Sequence, residues 1–420
     1  MDYIKKYAIV GFGCAGFNGA KAIRKHSFSG EIHVYSDVDT GPENPMLTTY
    51  YASGKLNEDA CRPFGSLSSI IDEFGITLHK ETAVSIDCAE RIVKTETGKS
   101  DKYDKILIAT GASPAIPPFK AAVEDLYVIR NMSDAGRLKK SLEAGISSAI
   151  IVGASVTGVK VAELLFEAGA DCLLVDVAPR IFPFASLEDT ATEIRRRLEE
   201  SGIRQSYHTG LTEVSREGEK LTAALSNGGR ELTDLVAVCV GTRANTSIAQ
   251  GIRIDRGIVV NERMETGAEG VYAAGDCCQG ADLQSGGTEI IGLWANAGYQ
   301  GRTAGANMAG ADTVYDGNIL HNITRFMGMD FVSLGDNRLP GERKTYKLNT
   351  GVWMETVTGE GRISCINILG DRDVCGIIRS MFIKRLRHGP YEPDALQAAM
   401  LEAHGVPAEI IGYLGGTNFE

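Results

Sequence analysis

The sequence has little of what marks membrane, secreted or nucleic-acid-binding proteins. It contains no run of about 18 apolar residues, which excludes an ordinary transmembrane helix. A strand pattern starts at Tyr7, so we expect no signal peptide ahead of it. The formal net charge of −11 opposes binding to phosphate backbones. We therefore expect a cytoplasmic protein with no membrane and no nucleic-acid partner.

Cysteine is scattered rather than grouped. The chain has nine cysteines, an odd number, and none of them follow C-x-x-C or paired cysteine–histidine spacing. Zinc and iron–sulfur sites need such grouped ligands, and a disulfide framework is typical of small secreted domains. We therefore expect no metal, no cluster and no structural disulfide in this chain.

Glycine, by contrast, is abundant and stands in short motifs within an alternating pattern of strands and helices. The 420 residues suffice for two to four domains at roughly 100–200 residues each. Two β–α–β units are predicted, one at residues 7–10, 14–26 and 31–36, the other at residues 149–152, 157–168 and 172–175. The pattern also predicts strands at 76–79, 83–87, 91–95, 103–109, 235–240 and 270–274, a helix at 66–74, and a helical tail at 394–413.

The first glycine motif, residues 11–16, follows a strand and opens a helix. In such a turn Gly11 permits the sharp bend, Gly13 lets a pyrophosphate approach, and Gly16 lets the helix pack closely. The helix N-terminus then holds the phosphates. Asp37 is the candidate for a ribose hydroxyl, and Ser36 competes with it. The residues assigned to this dinucleotide are Gly11, Gly13, Cys14, Ala15, Gly16, Ser36 and Asp37.

The second motif, residues 153–158, has the same context but carries Ser155 in place of the middle glycine. Asp176 follows its second strand, and a carboxylate there binds a ribose 2′-hydroxyl and repels a 2′-phosphate. This favours NAD(H) over NADP(H), although Arg180 nearby could soften the preference. The residues assigned to this turn are Gly153, Ser155, Val156, Thr157 and Gly158.

Two further segments carry a family resemblance. The sequence IATG at residues 108–111 ends a buried strand before the second β–α–β unit, and GVYAAGDC at residues 270–277 lies well after it. With the two glycine motifs in this order, the chain resembles the two-dinucleotide-binding-domain flavoproteins of the pyridine nucleotide–disulfide oxidoreductase superfamily. The resemblance implies that the first motif binds FAD, that the second binds NAD(H), and that Asp276 contacts the ribityl–pyrophosphate region of FAD.

The resemblance also implies the fold and its division. The implied fold is an α/β fold with two Rossmann-like three-layer domains and a small α+β C-terminal domain. The NAD domain would be inserted in the FAD domain. The FAD domain would comprise residues 1–118 and 243–315, the NAD domain residues 119–242, and the C-terminal domain residues 316–420. In the family this last domain shapes the acceptor side or a dimer contact, so a homodimer is left open.

More segments point to the ferredoxin, rubredoxin and nitrite reductase branch. Residues 44–49 resemble its "RPPLSK" stretch, residues 130–135 its "LRTxxDA", and residues 293–302 its "LWPxAxxQGR", which covers the flavin. Residues 328–336 match its C-terminal domain more loosely. The cofactor residues implied are Asn44, Pro45, Thr48, Val84, Ala109, Thr110, Gly111, Arg130, Gly241, Gly275, Asp276, Leu293 and Trp294.

The chain departs from the family at two points. No cysteine stands near Thr48, where the disulfide branch carries its redox-active thiol, so a dithiol mechanism is not expected. The lysine and glutamate that ferredoxin reductases pair beside the flavin N5 are here Thr49 and Lys160. One hypothesis is that Lys160 supplies a positive charge near the flavin, and the alternative is a solvated helix lysine.

These features predict an FAD-dependent NAD(H):acceptor oxidoreductase working by hydride transfer at flavin N5, with an iron–sulfur protein or subunit as partner. It would act alone, or as the flavin subunit of a 2-oxoacid oxidoreductase complex such as phenylglyoxylate dehydrogenase. Two alternatives stay open. One is an NADH oxidase or peroxidase, which the missing cysteine opposes. The other is a slow NADH-sensing flavoprotein of the apoptosis-inducing-factor type.

Overall fold

A computed structural model describes residues 4–348, 351–370 and 373–416, and the chain divides into two compact units. The first unit runs to Pro114 and adds Arg130–Lys139 and Thr242–Asn318. The second unit comprises Ala115–Ile129, Lys140–Gly241 and the chain from Ile319 onward. The C-terminal region therefore shares a unit with the second nucleotide fold. The four domain spans expected from the sequence remain a prediction.

The first unit is built on a parallel sheet. Its strands lie in the order Val271–Ala273, Lys105–Ile108, Lys6–Val10, Glu31–Tyr35 and Ile76–His79. The inner strands are nearly continuous apolar runs, as expected where both faces of a sheet are covered. The strand predicted at 103–109 is shorter and comprises Lys105–Ile108. The first helix, Cys14–Lys25, follows the first strand as predicted.

Other elements surround this sheet. The helices are Leu67–Phe74 and Trp294–Met308, with short helical turns at Pro45–Leu47, Thr48–Ala52 and Asp59–Cys61. An antiparallel sheet contains Ala83–Asp87, Ile92–Thr95 and Ser100–Lys102, with Ala249–Gln250 at its edge. Small strands lie at Ala112–Pro114, Thr242–Ala244, Ile258–Val259, Cys278–Ala281 and Thr288–Glu289. The helix Met132–Ala144 starts in this unit.

The helices Cys14–Lys25 and Trp294–Met308 approach each other through glycines. A Cβ on Gly301 would lie 2.2 Å from the carbonyl oxygen of Ala15, and a Cβ on Gly305 would lie 2.3 Å from that of Gly19. No side chain fits at such distances, so glycine is required here for packing rather than for backbone conformation. This contact fixes the helix that follows the first glycine turn.

Replacing Gly305 by alanine is expected to lower the free energy of unfolding by about 1–3 kcal/mol, because the added methyl group overpacks the helix contact. The matched control is Gly136→Ala in the helix Met132–Ala144, where a Cβ meets nothing within 4 Å. Alanine favours a helix interior, so the control should be neutral or more stable by up to about 1 kcal/mol. Urea unfolding of both variants measures the difference, and equal stabilities would contradict the close contact.

The second unit repeats the parallel arrangement. Its strands lie in the order Arg204–Ser206, Asp171–Val175, Ser148–Val152, Leu235–Val238 and Leu126–Tyr127. The helices Val156–Glu167 and Glu188–Glu200 accompany this sheet, with a helical turn at Val123–Asp125. An antiparallel sheet contains Leu211–Glu217, Lys220–Leu225 and Arg230–Thr233. The duplicated β–α–β pattern predicted from the sequence is confirmed.

In the described part of the C-terminal region, an antiparallel sheet is followed by three helices. The strands lie in the order His321–Phe326, Met329–Gly335, Arg362–Leu369, Trp353–Gly359 and Glu342–Lys347. The helices are Cys375–His388, Ala395–Ala403 and Ala408–Gly415. The helical tail predicted at 394–413 consists of two helices: the first ends at Ala403, before Gly405 with φ +79°, and the second begins after Pro407. Among the described residues, no helix is both long and apolar enough to cross a bilayer.

Candidate functional site

The first glycine turn has the geometry of a dinucleotide turn. Gly11 has φ +97°, and a Cβ there would lie 2.3 Å from the carbonyl oxygen of Ala109. A Cβ on Gly16 would lie 2.2 Å from the carbonyl oxygen of Gly11. Gly13 is different, because a Cβ there meets nothing within 4 Å. The protein itself therefore requires glycine at the two outer positions and leaves space at the middle one.

A diphosphate fits that space. Gly13 caps the helix Cys14–Lys25 without a side-chain hydrogen bond, and no acidic residue stands in the first turn of the helix. Amide groups at such a terminus attract anions. The indole Nε1 of Trp294 is buried and has no hydrogen-bond partner among the described residues, so this edge also offers an unsatisfied donor. These observations fit a bound FAD.

The turn before Asp276 lies against this helix. A Cβ on Gly275 would be 3.1 Å from the Cβ of Ala15, and the amide of Gly275 donates to Gln300 at 2.8 Å. Asp276 pairs with Arg130, whose Nη2 lies 2.7 Å from the carboxylate Oδ2. Both side chains are largely buried. The structure thus brings together two of the residues implied by the resemblance, and the ion pair leaves acceptor sites of Asp276 for hydroxyl groups.

Other predicted cofactor residues of this unit have local roles. Asn245, which no sequence motif indicated, forms hydrogen bonds with both Thr110 and Gly111. The Thr110 hydroxyl donates to the Asn245 carbonyl at 2.6 Å. Asn44 accepts from the amide of Met46 at 3.1 Å and so starts the turn Pro45–Leu47. The remaining placements are Ser36 and Thr48 buried, Asp37 exposed, Val84 half exposed, and Leu293 at the N-cap of the helix Trp294–Met308.

The second glycine turn differs from the first at its middle position. Cβ atoms on Gly153 and Gly158 would lie 2.5 Å from the Cys239 carbonyl oxygen and 1.9 Å from the Gly153 carbonyl oxygen, so glycine is again required at both ends. The Ser155 hydroxyl accepts from the amide of Gly158 at 3.1 Å and donates to Cys239 at 2.7 Å. The helix Val156–Glu167 therefore carries its own N-cap, which leaves fewer open amides than at the first helix.

Asp176 lies at this turn, where a ribose-binding acid is expected. Its Oδ2 accepts from the amide of Ala154 at 2.6 Å and its Oδ1 from the amide of Ala178 at 2.8 Å. A carboxylate has about four acceptor sites, so two hydrogen bonds leave capacity for ribose hydroxyls. Arg180 has a buried Nε without a partner among the described residues. The acceptor Asp176 and the donor Arg180 fit NAD(H), and Thr157 and Gly241 are exposed.

Lys160 and Thr49 belong to different compact units. Lys160 forms an ion pair with Glu163, and its Nζ donates to the carbonyl oxygen of Arg325 at 2.9 Å. The second carboxylate oxygen of Glu163 accepts from the amide of Met327 at 2.7 Å. The lysine charge is therefore compensated inside the second unit, and its side chain is mostly buried rather than solvated. The sequence did not reveal the contacts with Arg325 and Met327, because these two residues lie in a hairpin more than 160 residues later.

The nine cysteines form no disulfide, and all of them except Cys375 are buried. Burial raises the pKa of the Cys14 and Cys239 thiols to about 12. Burial also raises the pKa of Cys277 and Cys278, which follow Asp276. A redox role needs an accessible thiolate. These cysteines have neither the exposure nor the charge for it.

Native protein is accordingly expected to react slowly with an aromatic disulfide reagent at pH 8, since the buried thiols stay protonated. Only Cys375, which is half exposed, should react readily. Denatured protein serves as the control, and all nine of its thiols should react with the reagent. Rapid release of two thiols from the native protein, or their appearance only after NADH addition, would reinstate a dithiol mechanism.

The comparisons with known proteins agree with this geometry. The profile of the family described as "Pyridine nucleotide-disulphide oxidoreductase" matches residues 5–301. NADH-dependent phenylglyoxylate dehydrogenase subunit epsilon of Aromatoleum evansii is 29% identical over 392 residues, covering 90% of this chain and 92% of that protein. Rubredoxin-NAD(+) reductase of Ectopseudomonas oleovorans is 28% identical over 277 residues, covering 64% and 71%. Water-forming NADH oxidase from Lactobacillus brevis, bound to NADH, has the same fold with a TM-score of 0.80, 20% identity and 87% of each chain covered.

Proposed function

The chain belongs to the pyridine nucleotide-disulphide oxidoreductase family and is an FAD-dependent oxidoreductase that uses NAD(H), and from this premise we propose that it passes electrons between NAD(H) and an iron–sulfur protein or subunit. The observation that carries the proposal is the pair of dinucleotide turns in one chain, one in each compact unit, with thiols that are buried. Two dinucleotides without a reactive dithiol favour a flavin that exchanges electrons with an external acceptor.

In this proposal the first unit holds FAD. The open amides after Gly13 bind its diphosphate, and the Arg130–Asp276 pair orients a carboxylate toward its hydroxyl groups. Trp294 contributes the buried indole donor and stacks on Phe64, with ring centroids 5.2 Å apart. The stack fixes the indole, so the donor direction is set before the cofactor binds.

The second unit holds NAD(H) through the turn at residues 153–158 and through Asp176. The carboxylate is already fixed by two amides, so binding requires little reorganisation there. A 2′-phosphate would meet this negative charge, which supports NAD(H) rather than NADP(H). The two cofactors supply hydride transfer at the nicotinamide and one- or two-electron chemistry at the flavin, and the protein supplies binding, orientation and electrostatics.

The experiment is an anaerobic titration of the FAD-loaded protein with NADH and, separately, NADPH, followed by the visible absorbance of the flavin. We expect NADH to bleach the flavin at about one equivalent and NADPH to bleach it far more slowly. Reduced protein is then mixed with oxidised rubredoxin or ferredoxin, or with air. Fast reoxidation by the iron–sulfur protein and slow reoxidation by oxygen support the proposal. Fast reoxidation by oxygen alone, with water or peroxide as product, would replace it with an oxidase.

The proposal includes two forms of partnership. The likeness to a dehydrogenase subunit over most of both chains supports a flavin subunit, and the likeness to a rubredoxin reductase supports a separate reductase. Purification under native conditions distinguishes them: a stable complex with stoichiometric iron and sulfide indicates the subunit, and an iron-free monomer or homodimer indicates the reductase. Light scattering of the iron-free form then gives its oligomeric state.

A further inference from the structure

One row of polar side chains crosses the C-terminal sheet. Residues Thr345, Glu355, Asn367 and Ser333 are register partners on four neighbouring strands. Glu355 and Ser333 are each only 1% exposed and Asn367 is fully buried, although sheet interiors are normally apolar. We call these four residues the polar row. Buried polar groups need hydrogen-bond partners, and each member of the polar row has a partner outside the sheet.

Every member of the polar row bonds to one short segment of the second nucleotide fold, residues 185–190. The Glu355 carboxylate accepts from the Thr190 amide and the Thr190 hydroxyl, each at 2.7 Å, and from the Asp189 amide at 3.3 Å. Asn367 accepts from the Leu187 amide at 2.6 Å and donates to the Ala185 carbonyl at 3.0 Å.

The ends of the polar row extend the same contact. The Ser333 hydroxyl donates to the Ala185 carbonyl at 2.7 Å, and the Thr345 hydroxyl donates to the Asp189 carboxylate at 2.6 Å. The helix Glu188–Glu200 has no side-chain cap of its own at Leu187. Its first amides are instead satisfied by Glu355, so a strand of the C-terminal sheet supplies the N-cap of a nucleotide-fold helix.

Phe182, three residues before this segment, is tied directly to the second glycine turn. The amide of Phe182 donates to the carbonyl of Ala154, inside that turn, at 2.8 Å. Phe182 has φ +47°, a conformation that costs free energy for a non-glycine residue and persists only where the surroundings impose it. The surroundings are again the C-terminal sheet, since the Phe182 ring stacks on Phe331 and meets Phe326 edge-on, with centroids 5.2 and 5.4 Å away.

We propose that Glu355 and Asn367 are positioning residues for the NAD(H) site: through residues 182–190 the polar row holds the glycine turn in its binding shape and so sets the affinity for NAD(H). The inference rests on the proposed function, because it takes the second turn as the NAD(H) site. The link to the turn is the carbonyl of Phe182, which accepts from the amides of Ala185 and Ser186 at 2.8 and 2.7 Å. Without the polar row, residues 185–190 lose their hydrogen bonds to the sheet, this link shifts, and the Ala154 carbonyl loses its partner. The amide of Ala154, on the same residue, is the one that orients Asp176.

The test is the dissociation constant of NADH for FAD-loaded Glu355→Ala and Asn367→Ala, measured by calorimetry beside the wild type. We expect a rise of about ten-fold or more in each variant, with the FAD content and the turnover rate at saturating NADH within two-fold of the wild type. The matched control is Thr356→Val. Thr356 neighbours Glu355 on the same strand and is equally buried, but its hydroxyl faces Lys344 and not the segment. It should leave the dissociation constant unchanged, even if it lowers the melting temperature.

A dissociation constant within two-fold of the wild type in both variants would overturn the inference, as would an equal rise in Thr356→Val. If Glu355→Ala does not fold, Glu355→Gln is used, since it keeps the volume and one acceptor oxygen and should show a smaller rise in the same direction. Failure of the proposed function is a separate outcome, because it appears in the wild type itself as absent NADH binding.

Discussion

Replacing Gly11 by alanine is expected to give protein without bound FAD. The alanine methyl group would lie 2.3 Å from the Ala109 carbonyl oxygen, and the φ of +97° is unfavourable for any residue with a Cβ. The first turn must therefore deform, and with it the amides that would face the diphosphate. Flavin absorbance per protein after purification in excess FAD measures the effect, which should be a loss of at least 90% or about a hundred-fold in affinity, equivalent to ~2.7 kcal/mol.

Gly13→Ala separates a damaged fold from a blocked ligand. Gly13 has φ −79°, which alanine accepts, and a Cβ there meets no protein atom within 4 Å. This variant should fold with the stability of the wild-type apoprotein. Its methyl group should nevertheless weaken FAD binding about ten-fold or more, because it occupies the space through which the pyrophosphate approaches. Unchanged FAD binding in Gly13→Ala would show that the diphosphate lies elsewhere.

Removing the carboxylate of Asp176 is expected to have the next largest effect, a loss of preference for NADH. A hydrogen bond to a charged group is worth about 1.5–3 kcal/mol, so Asp176→Ala should raise the dissociation constant of NADH roughly 10- to 100-fold. NADPH binding should change little or improve, because the repulsion of a 2′-phosphate disappears together with the ribose contact. Stopped-flow reduction of the flavin by each nucleotide gives both constants.

Asp234→Asn is the matched control for this prediction. Asp234 is a second carboxylate of the same unit that accepts from backbone amides, those of Ser147 and Ser148, each at 3.0 Å. Burial alone would raise the pKa of this carboxyl, but hydrogen bonds from the Ser147 hydroxyl, from Lys220 and from the Ser147 amide hold it well below the usual range, so its replacement should also cost stability. It should weaken NADH and NADPH binding equally or not at all. Equal weakening of both nucleotides in Asp176→Ala would mean that Asp176 only supports the turn.

The two nucleotide turns could be predicted from the sequence because their requirement is steric and local. An added Cβ would lie less than 3 Å from a backbone carbonyl oxygen at Gly11, Gly16, Gly153 and Gly158, so only glycine fits at these positions. Such positions leave a fixed pattern in the sequence. Asp176 could be named because it directly follows the second strand of its unit, where it bonds to the glycine turn. The choice between Ser36 and Asp37 in the first unit stays a prediction.

What the sequence did not reveal depends on partners far along the chain. The helix Trp294–Met308 contains three glycines, which disfavour a helix locally, and only its packing against the first helix makes it one. Glu355 and Asn367 look like ordinary polar positions of a strand until residues 185–190 are seen to bond to them. The same holds for the ion pair of Lys160 and Glu163, whose further contacts come from the Arg325 carbonyl and the Met327 amide in a later hairpin.

The glycine contact between the first and last helices of the first unit has a consequence for synthesis. Cys14 and Trp294 are in contact although 280 residues separate them. The strand Lys6–Val10 likewise pairs along one edge with Lys105–Ile108, which is synthesised much later. The first glycine turn therefore leaves the ribosome long before the helix Trp294–Met308 that packs against it has been made. We expect the turn to reach its final shape only after Met308 has emerged. We expect nascent chains to capture flavin only at that length, and to depend on chaperones until then.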